Sequence, residues 1–92
     1  MQEKLLERKL REAVTARGGL AIKLSSMSFT GLPDRLVLMP GGRAYFAEIK
    51  TTGKGLLARQ LAVAGLLRKL GFHAAVVDCQ AALDEFLKVV AG

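Results

Sequence analysis

Apolar residues recur at helical spacing in three segments of the chain. In residues 2–17 they fall on one stripe and charged residues fall on the other side, until a pair of glycines that begins at Gly18 ends the segment. Residues 56–70 are apolar on most sides, so we expect this helix to be largely buried. Residues 80–90 repeat the one-sided pattern of the first segment. The pattern therefore predicts three helices.

Shorter apolar runs between turn signals predict four strands. The first covers residues 20–24 and the last covers residues 73–77. Between them, residues 34–39 and 43–50 flank Pro-Gly-Gly at 40–42, which is a hairpin signal. The second and third strands should therefore be antiparallel neighbours.

The predicted order of elements is helix, three strands, helix, strand, helix. This mixture favours an α/β sandwich, in which helices flank a mixed four-stranded sheet. The strand–helix–strand unit of residues 43–77 should form a right-handed parallel crossover. A length of 92 residues is that of one small domain, so we expect a single domain over 1–92. Such a domain gains stability from association with a second copy.

The charge of the chain indicates a polyanionic partner. Fourteen Lys and Arg residues against eight Asp and Glu residues give a net charge of +6, and the isoelectric point is about 10. Such an excess suits DNA, RNA or an anionic membrane surface. Charge alone does not choose among these partners.

The scarcity of cysteine and histidine excludes several kinds of site. Cys79 is the only cysteine and His73 the only histidine, so an intrachain disulfide and a cysteine-rich zinc site are excluded. Ser-His-Asp catalysis is disfavoured. No apolar run approaches the roughly 18–20 residues of a membrane span. We expect a soluble, intracellular (cytoplasmic) protein that does not enter a membrane.

The length of the hairpin turn decides where the acidic residues meet. With a three-residue turn at 40–42, Asp34 falls directly opposite Glu48 on one face of the sheet. A two-residue turn would oppose Asp34 to Ile49 and separate the two carboxylates onto different faces. Lys50 lies two residues beyond Glu48, so strand periodicity places it on the face of Glu48.

Two carboxylates opposed on one face repel each other, so a cation, a lysine or a proton must compensate them. Asp34 and Glu48 offer hard oxygen ligands for Mg²⁺ or Mn²⁺, with the ammonium of Lys50 beside them. This combination suits phosphodiester hydrolysis, in which Lys50 orients or deprotonates the attacking water or stabilises developing charge. In the ordinary alternative, Asp34 is a turn residue after Pro33, and Glu48 with Lys50 is an ion pair on an edge strand.

The segment Gly31-Leu32-Pro33-Asp34, followed by Glu48-Ile49-Lys50, resembles the PD-(D/E)xK nuclease motif. More closely, residues 3–78 resemble the small stand-alone VRR-NUC proteins (virus-type replication-repair nucleases) of phages. Shared features are a G-x-P-D-R segment, a short hairpin, an E-x-K strand and a glutamine, Gln60, that opens the next helix. The resemblance implies a restriction-endonuclease-like core of order αβββαβα.

The resemblance also implies roles for individual residues. It implies that Asp34, Glu48 and the main-chain carbonyl of Ile49 hold the metal ion. It implies that Gln60 positions Lys50, a water molecule or a phosphate. The ordinary alternative for Gln60 is a residue that only begins its helix.

An acidic residue of the first helix completes the site in the family. Glu7 is our preferred residue, because Glu7-Arg8-Lys9-Leu10 also resembles the corresponding segment of archaeal-type Holliday junction resolvases. The resemblance implies that Glu7 assists the metal directly or through water. Glu3 lies on the apolar stripe of the same helix and stays a rival. Either residue also has an ordinary explanation, since acidic residues favour a helix N-terminus.

The activity implied is that of a Mg²⁺- or Mn²⁺-dependent deoxyribonuclease. We expect a structure-specific endonuclease of DNA repair that cleaves Holliday junctions or other branched DNA as a homodimer, in which each active site meets one strand. The alternatives are a flap or end-processing nuclease and a non-catalytic basic nucleic-acid-binding module. Five basic residues near the site in the sequence are candidate DNA contacts: Lys23, Arg35, Arg43, Lys54 and Arg59. The second helix and the sheet edge are candidate dimer surfaces.

Overall fold

A computed structural model of the chain describes residues 1–25, 29–50 and 55–92. In these residues three helices and four strands follow one another in the order α1 (Glu3–Ala16), β1 (Leu20–Lys23), β2 (Arg35–Met39), β3 (Arg43–Ile49), α2 (Ala58–Lys69), β4 (His73–Val77) and α3 (Gln80–Val90). The predicted order is confirmed, and every boundary lies within two residues of its predicted position. None of the described helices is long and apolar enough to cross a membrane.

The four strands form one mixed sheet in the order β1-β2-β3-β4. Strands β1, β2 and β3 are successively antiparallel, as expected for strands joined by short turns. Strand β4 pairs with β3 in parallel, so α2 forms the predicted parallel connection between them. Because β1 and β4 are at the two ends of this order, each is an edge strand.

The main core lies between one face of the sheet and helices α1 and α3. Alternate residues of the strands point to this face, and apolar stripes of the two helices cover them. A side chain at Gly19 would prevent this packing, since a Cβ there would lie 2.5 Å from the Met39 sulfur and 2.7 Å from the Leu38 carbonyl oxygen. The core residues are Leu6, Leu10, Val14, Ala21, Val37, Met39, Ala47, Ile49, Val77, Leu83, Phe86 and Val90.

Helix α2 packs on the other face of the sheet, against β4. Gly31 approaches the start of this helix closely: a Cβ on Gly31 would lie 2.7 Å from Cγ and 2.8 Å from the carbonyl oxygen of Arg59. Gly31 also has a φ of +88°, which favours glycine. This contact holds the segment that leads into Asp34 against α2.

The expectation that α2 is largely buried is wrong. Its buried residues are Val63 and Ala64, whereas Leu61 is 57% and Leu66 49% exposed. The reason is that α2 covers only the β4 side of its sheet face, and no other described helix packs on that face. A helix that is apolar on most sides therefore presents leucines to solvent.

The rest of that face forms an apolar surface that no described helix covers. The strand registers place its strand residues in two adjacent rows. One row consists of Leu20, Leu38 and Ala44, and the next consists of Ile22, Leu36 and Phe46. Leu20 is 57% and Leu38 36% exposed. We call this surface the open apolar face, which consists of Leu20, Ile22, Leu36, Leu38, Ala44, Phe46 and Phe72.

Candidate active site

The β2–β3 hairpin has the three-residue turn that brings the acidic residues together. Met39 pairs with Arg43, so the turn consists of residues 40–42. Gly41 and Gly42 have φ values of +86° and +74°, a conformation that glycine adopts without steric strain. The ladder runs to the pair Arg35–Ala47. The next residues beyond that pair are Asp34 and Glu48, which therefore oppose each other as predicted.

Reciprocal hydrogen bonds fix the two carboxylates. The main-chain N–H of Asp34 donates to Oε1 of Glu48 at 3.1 Å. The main-chain N–H of Ile49 donates to Oδ1 of Asp34 at 3.1 Å. Each carboxylate is thus held by the main chain of the facing strand, and the two acidic groups are neighbours at the end of the hairpin.

Lys50 completes the predicted group of three side chains. Its Nζ lies 3.5 Å from Oε2 of Glu48. The side chain of Glu48 is 11% and that of Lys50 21% exposed, so this ion pair is largely shielded from solvent. Alternation along β3 places Ala44 and Phe46 on the same face, so the charged group lies at the end of the open apolar face.

Burial makes both carboxylates harder to ionise than in water. Burial raises the pKa of Asp34 to about 6, and the charge of Glu48 adds to the rise. The N–H of Ile49 and the charge of Arg35 oppose it. Burial also raises the pKa of Glu48, and Lys50 acts in the opposite direction. The positive charge of the described neighbours therefore compensates this pair only in part.

A divalent cation fits this set of donors. Carboxylate oxygens and main-chain carbonyls are the ligands that Mg²⁺ and Mn²⁺ prefer. The raised pKa values indicate that the pair would be stabilised by further positive charge. Among the described residues no group of three Asp, Glu, His or Cys side chains converges on one point. A third ligand from this part of the chain would therefore be a main-chain oxygen, such as the Ile49 carbonyl.

The two acidic residues of α1 lie close enough to affect the carboxylate pair. The charge of Glu7 contributes to the raised pKa of Asp34, and the charge of Glu3 contributes to that of Glu48. Glu7 also accepts a hydrogen bond from the guanidinium of Arg35. Glu7 thus has a structural partner in addition to its place beside the site, and both acidic residues remain candidates.

Gln60 lines a groove that also contains Glu48. Its Oε1 accepts the main-chain N–H of Leu57 at 2.9 Å, so its side chain satisfies a free N–H at the start of α2. The ordinary alternative is therefore observed, because the Gln60 side chain caps the first turn of its helix. Its position beside Glu48 also leaves it close to the predicted chemistry.

The groove lies between α2 and strands β3 and β4, and we call it the α2 groove. It includes Arg68, which sequence reasoning did not assign to the site. Gln60, Ala64 and Arg68 are spaced four residues apart, so they lie along one side of the helix. That spacing is the signal that points to Arg68 once Gln60 is placed at the site. Other lining residues are Gly31, Pro33, Glu48, Ala74, Ala75 and Val76.

Two of the predicted DNA contacts are placed elsewhere. Arg35 is 5% exposed and pairs with Glu7, so its guanidinium is not presented to a phosphate at the surface. Arg43 donates to the carbonyls of Pro40 and Val90 and to the Tyr45 hydroxyl. It begins β3 and is about 16 Å along the strand from Glu48. Both guanidinium groups are therefore engaged by partners within the fold.

The remaining basic candidates differ in their placement. Lys23 is exposed. It lies opposite Arg35 in the β1–β2 ladder, at the end of the sheet where Asp34 lies. Arg59 is exposed at the start of α2, where its Nε donates to the Thr30 carbonyl at 3.2 Å and its guanidinium lies 5.4 Å from the ring centre of Phe29. Lys54 lies outside the described residues.

Comparisons with known proteins agree with this architecture. No protein-family model matches the chain. A protein of Acyrthosiphon pisum secondary endosymbiont phage 1, named "Putative nuclease p44", is 36% identical over 80 residues, which are 87% of this chain and 86% of that protein. A solved structure described as "VRR_NUC domain" is similar with a TM-score of 0.86 and 31% identity, over 94% of each chain. The chain belongs to the VRR-NUC family of nucleases.

Proposed function

We propose that this protein is a metal-dependent endonuclease that hydrolyses phosphodiester bonds in DNA. The observation that supports this function is the pair of reciprocal hydrogen bonds that fixes Asp34 beside Glu48, with Lys50 at 3.5 Å from Glu48. Two partly buried carboxylates beside an ammonium, in a basic chain of a nuclease family, suit phosphodiester hydrolysis.

The proposed metal ligands are Asp34, Glu48 and the Ile49 carbonyl. When bound, Mg²⁺ or Mn²⁺ would polarise the scissile phosphate and lower the pKa of the attacking water. Glu7 would act on the bound ion through water, because no third acidic side chain of the described residues converges with Asp34 and Glu48, and Glu3 is the alternative residue for this role. The raised pKa of Asp34, which reflects burial and the charge of Glu48, is the property that the cation would reverse.

The side chains of the protein supply orientation and charge. The ammonium of Lys50 donates hydrogen bonds to the phosphate and stabilises the negative charge that develops on it. Glu48 holds Lys50 in place through their ion pair. Gln60 orients water or a phosphate from the opposite wall of the α2 groove. Each of these groups is fixed before substrate arrives, which lowers the reorganisation needed in the reaction.

The proposed substrate is branched DNA of the Holliday-junction type, as in repair. The net charge of +6 favours the high phosphate density where duplexes meet. Lys23 and Arg59 are exposed basic residues at the end of the molecule that contains the carboxylates, and both would contact phosphates.

We also propose that the protein acts as a homodimer through the open apolar face. No side chain of this face is charged, although the chain as a whole bears +6. Two copies therefore repel each other least when these faces meet. Leu20 and Leu38 would lose their solvent exposure in such a contact. Because Asp34 and Glu48 lie in the next row of the same face, the dimer would hold two active sites near each other, one for each strand.

The dimer is tested by changing an exposed leucine within the face and another outside it. Leu38→Glu places a charge on the open apolar face and is expected to yield monomers in sedimentation velocity. Leu57→Glu is the control, because Leu57 is 70% exposed at the start of α2 and outside that face. A monomeric wild-type protein, or a Leu38→Glu variant as dimeric as the control, would contradict the proposed interface.

The enzyme is tested with purified protein and labelled four-way junction, flap and linear duplex, each with and without Mg²⁺ or Mn²⁺. We expect metal-dependent cleavage, fastest on the junction. Preference for the flap or for linear ends would favour the alternative substrates at the same site. Binding of all three DNAs by the folded protein with no cleavage would identify a non-catalytic module and overturn the nuclease proposal.

A further inference from the structure

We propose that Arg68, which is exposed on α2, binds a backbone phosphate of a nucleic-acid strand that lies over the α2 groove. The inference rests on the proposed nuclease function and adds a substrate-binding residue to it. It gives the groove two ends: the carboxylates at one end, where a phosphodiester is cleaved, and a guanidinium at the other, where the same strand is held.

The helix places Arg68 along the groove from the active site. Gln60, Ala64 and Arg68 follow at four-residue intervals, and all three line the groove. Glu48 also lines it, which identifies the end where the carboxylates lie. Ala64, between the two longer side chains, is 6% exposed and closes the floor of the groove, so a nucleic-acid strand would lie over the groove, between Gln60 and Arg68.

Contacts with β4 fix how far Arg68 lies from the carboxylates. Arg68 hydrogen-bonds to the carbonyl of Ala74, two residues before Val76 on β4. Val76 pairs with Glu48 across the parallel ladder. At the rise of a strand, the anchor of the guanidinium is about 7 Å along the sheet from the level of Glu48. A nucleic-acid strand with one phosphate at the carboxylates of Asp34 and Glu48 would present a neighbouring phosphate in the direction of Arg68.

The guanidinium of Arg68 is oriented and still has donors to offer. Its Nε and Nη2 donate to the Ala74 carbonyl at 3.1 Å and 2.7 Å. Its Nη1 makes no hydrogen bond or ion pair with the described residues. A planar guanidinium that is held on one side presents its other N–H groups in a fixed direction, which suits the oxygens of a phosphate.

The charges of the groove favour phosphate binding at Arg68. Among the described lining residues Arg68 is the only basic one, and Glu48 is the only acidic one. An incoming phosphodiester strand needs positive charge beyond the catalytic group, because each neutralised phosphate adds to affinity through release of counterions. Arg35 and Arg43 do not supply that charge here, since both are engaged elsewhere in the fold.

A purely structural role for Arg68 makes a different prediction. Strand β4 is an edge strand, and Arg68 satisfies one of its outward carbonyls. If this were its only role, loss of Arg68 would lower the unfolding temperature and leave the salt dependence of DNA binding unchanged.

The two roles are separated by comparing Arg68→Gln with Lys69→Gln. Lys69 is the neighbouring exposed residue of α2 and does not line the groove, so both variants lose one charge from the same helix. Binding of a labelled four-way junction is measured by fluorescence anisotropy without divalent metal, over a range of KCl concentrations. Arg68→Gln is expected to weaken binding about five- to tenfold and to reduce the slope of log K against log [salt] by about one.

Lys69→Gln is expected to change the slope by less than half as much, and Arg68→Lys, which keeps the charge, to keep the slope of the wild-type protein. An Arg68→Gln slope equal to that of Lys69→Gln, with only the unfolding temperature lowered, would overturn the inference. Cleavage is scored separately. A wild-type protein that binds DNA without cleaving it overturns the nuclease proposal and leaves the Arg68 comparison intact.

Discussion

Replacing Asp34 by asparagine is expected to stabilise the metal-free protein while abolishing cleavage. The asparagine side chain keeps the size of the original one and an oxygen that accepts the Ile49 N–H, which Asp34 accepts at 3.1 Å. It removes a charge that burial and Glu48 disfavour. The substitution therefore relieves electrostatic repulsion without creating a cavity, and it removes a proposed metal ligand.

The size of the effect follows from the pKa of Asp34. A rise from the ordinary value of 3.8 to about 6 corresponds to about 3 kcal/mol against the ionised form. Asp34 is only half-buried, and solvent screening reduces this figure, so we expect a gain of about 1–2 kcal/mol. For a domain of this size that gain corresponds to a rise in Tm of about 5–10 °C.

The gain should depend on pH in a defined direction. Because the pKa is raised in the folded state, the stability associated with this carboxyl is present below pH 3.8 and is lost as the pH rises through about 6. Wild type and Asp34→Asn should therefore unfold at similar temperatures at about pH 4. The variant should be the more stable one above about pH 7.

The assay is thermal unfolding in EDTA across this pH range, repeated with Mg²⁺ at neutral pH. Asp84→Asn is the matched control, because Asp84 is exposed, accepts a hydrogen bond from Gln80, and lies on α3 away from the site. It should change stability by less than about 0.5 kcal/mol. Mg²⁺ should stabilise the wild-type protein and not Asp34→Asn. An Asp34→Asn variant that is less stable than wild type at pH 8 would refute the electrostatic reasoning.

Three further substitutions test other parts of the site. Gly31→Ala should destabilise the fold by about 1–3 kcal/mol and slow cleavage, because its Cβ would contact Arg59 and its φ is positive; unchanged urea unfolding would contradict this. Glu7→Ala should lower the free energy of unfolding by about 2–3 kcal/mol, because it leaves the Arg35 guanidinium buried without its carboxylate partner. The expected loss is smaller than for a fully buried ion pair, since Glu7 is partly exposed. A loss below about 0.5 kcal/mol would argue against this structural role of Glu7. Lys50→Ala should lower the single-turnover cleavage rate by about 10²–10³-fold with DNA affinity little changed; a wild-type rate would exclude Lys50 from catalysis.

The parts of the fold that sequence predicts are those set by local rules. Helix α1 follows from apolar residues that recur every three or four positions before Gly18. The opposition of Asp34 and Glu48 follows from the length of one turn, because a strand alternates its faces with a period of two. Short-range geometry thus determined the central pair of the candidate site.

Long-range contacts explain what sequence did not predict. The apolar composition of α2 indicated burial, but Leu61 and Leu66 are exposed because nothing in the described part of the chain covers that side. Arg35 follows Asp34 in the sequence and resembled a DNA contact, yet it faces α1 and pairs with Glu7, 28 residues away. Arg68 could be assigned to the groove only after α2 was placed on β4.

The central claim is that Asp34, Glu48 and Lys50 form the active site of a metal-dependent nuclease. Its most direct test is single-turnover cleavage of a labelled four-way junction by the wild-type protein, Asp34→Asn and Asp84→Asn, with Mg²⁺ and with EDTA. We predict cleavage in Mg²⁺ by the wild-type protein and Asp84→Asn at similar rates, none in EDTA, and none by Asp34→Asn although it still binds the junction. Cleavage by Asp34→Asn at the wild-type rate, or cleavage in EDTA, would contradict the claim.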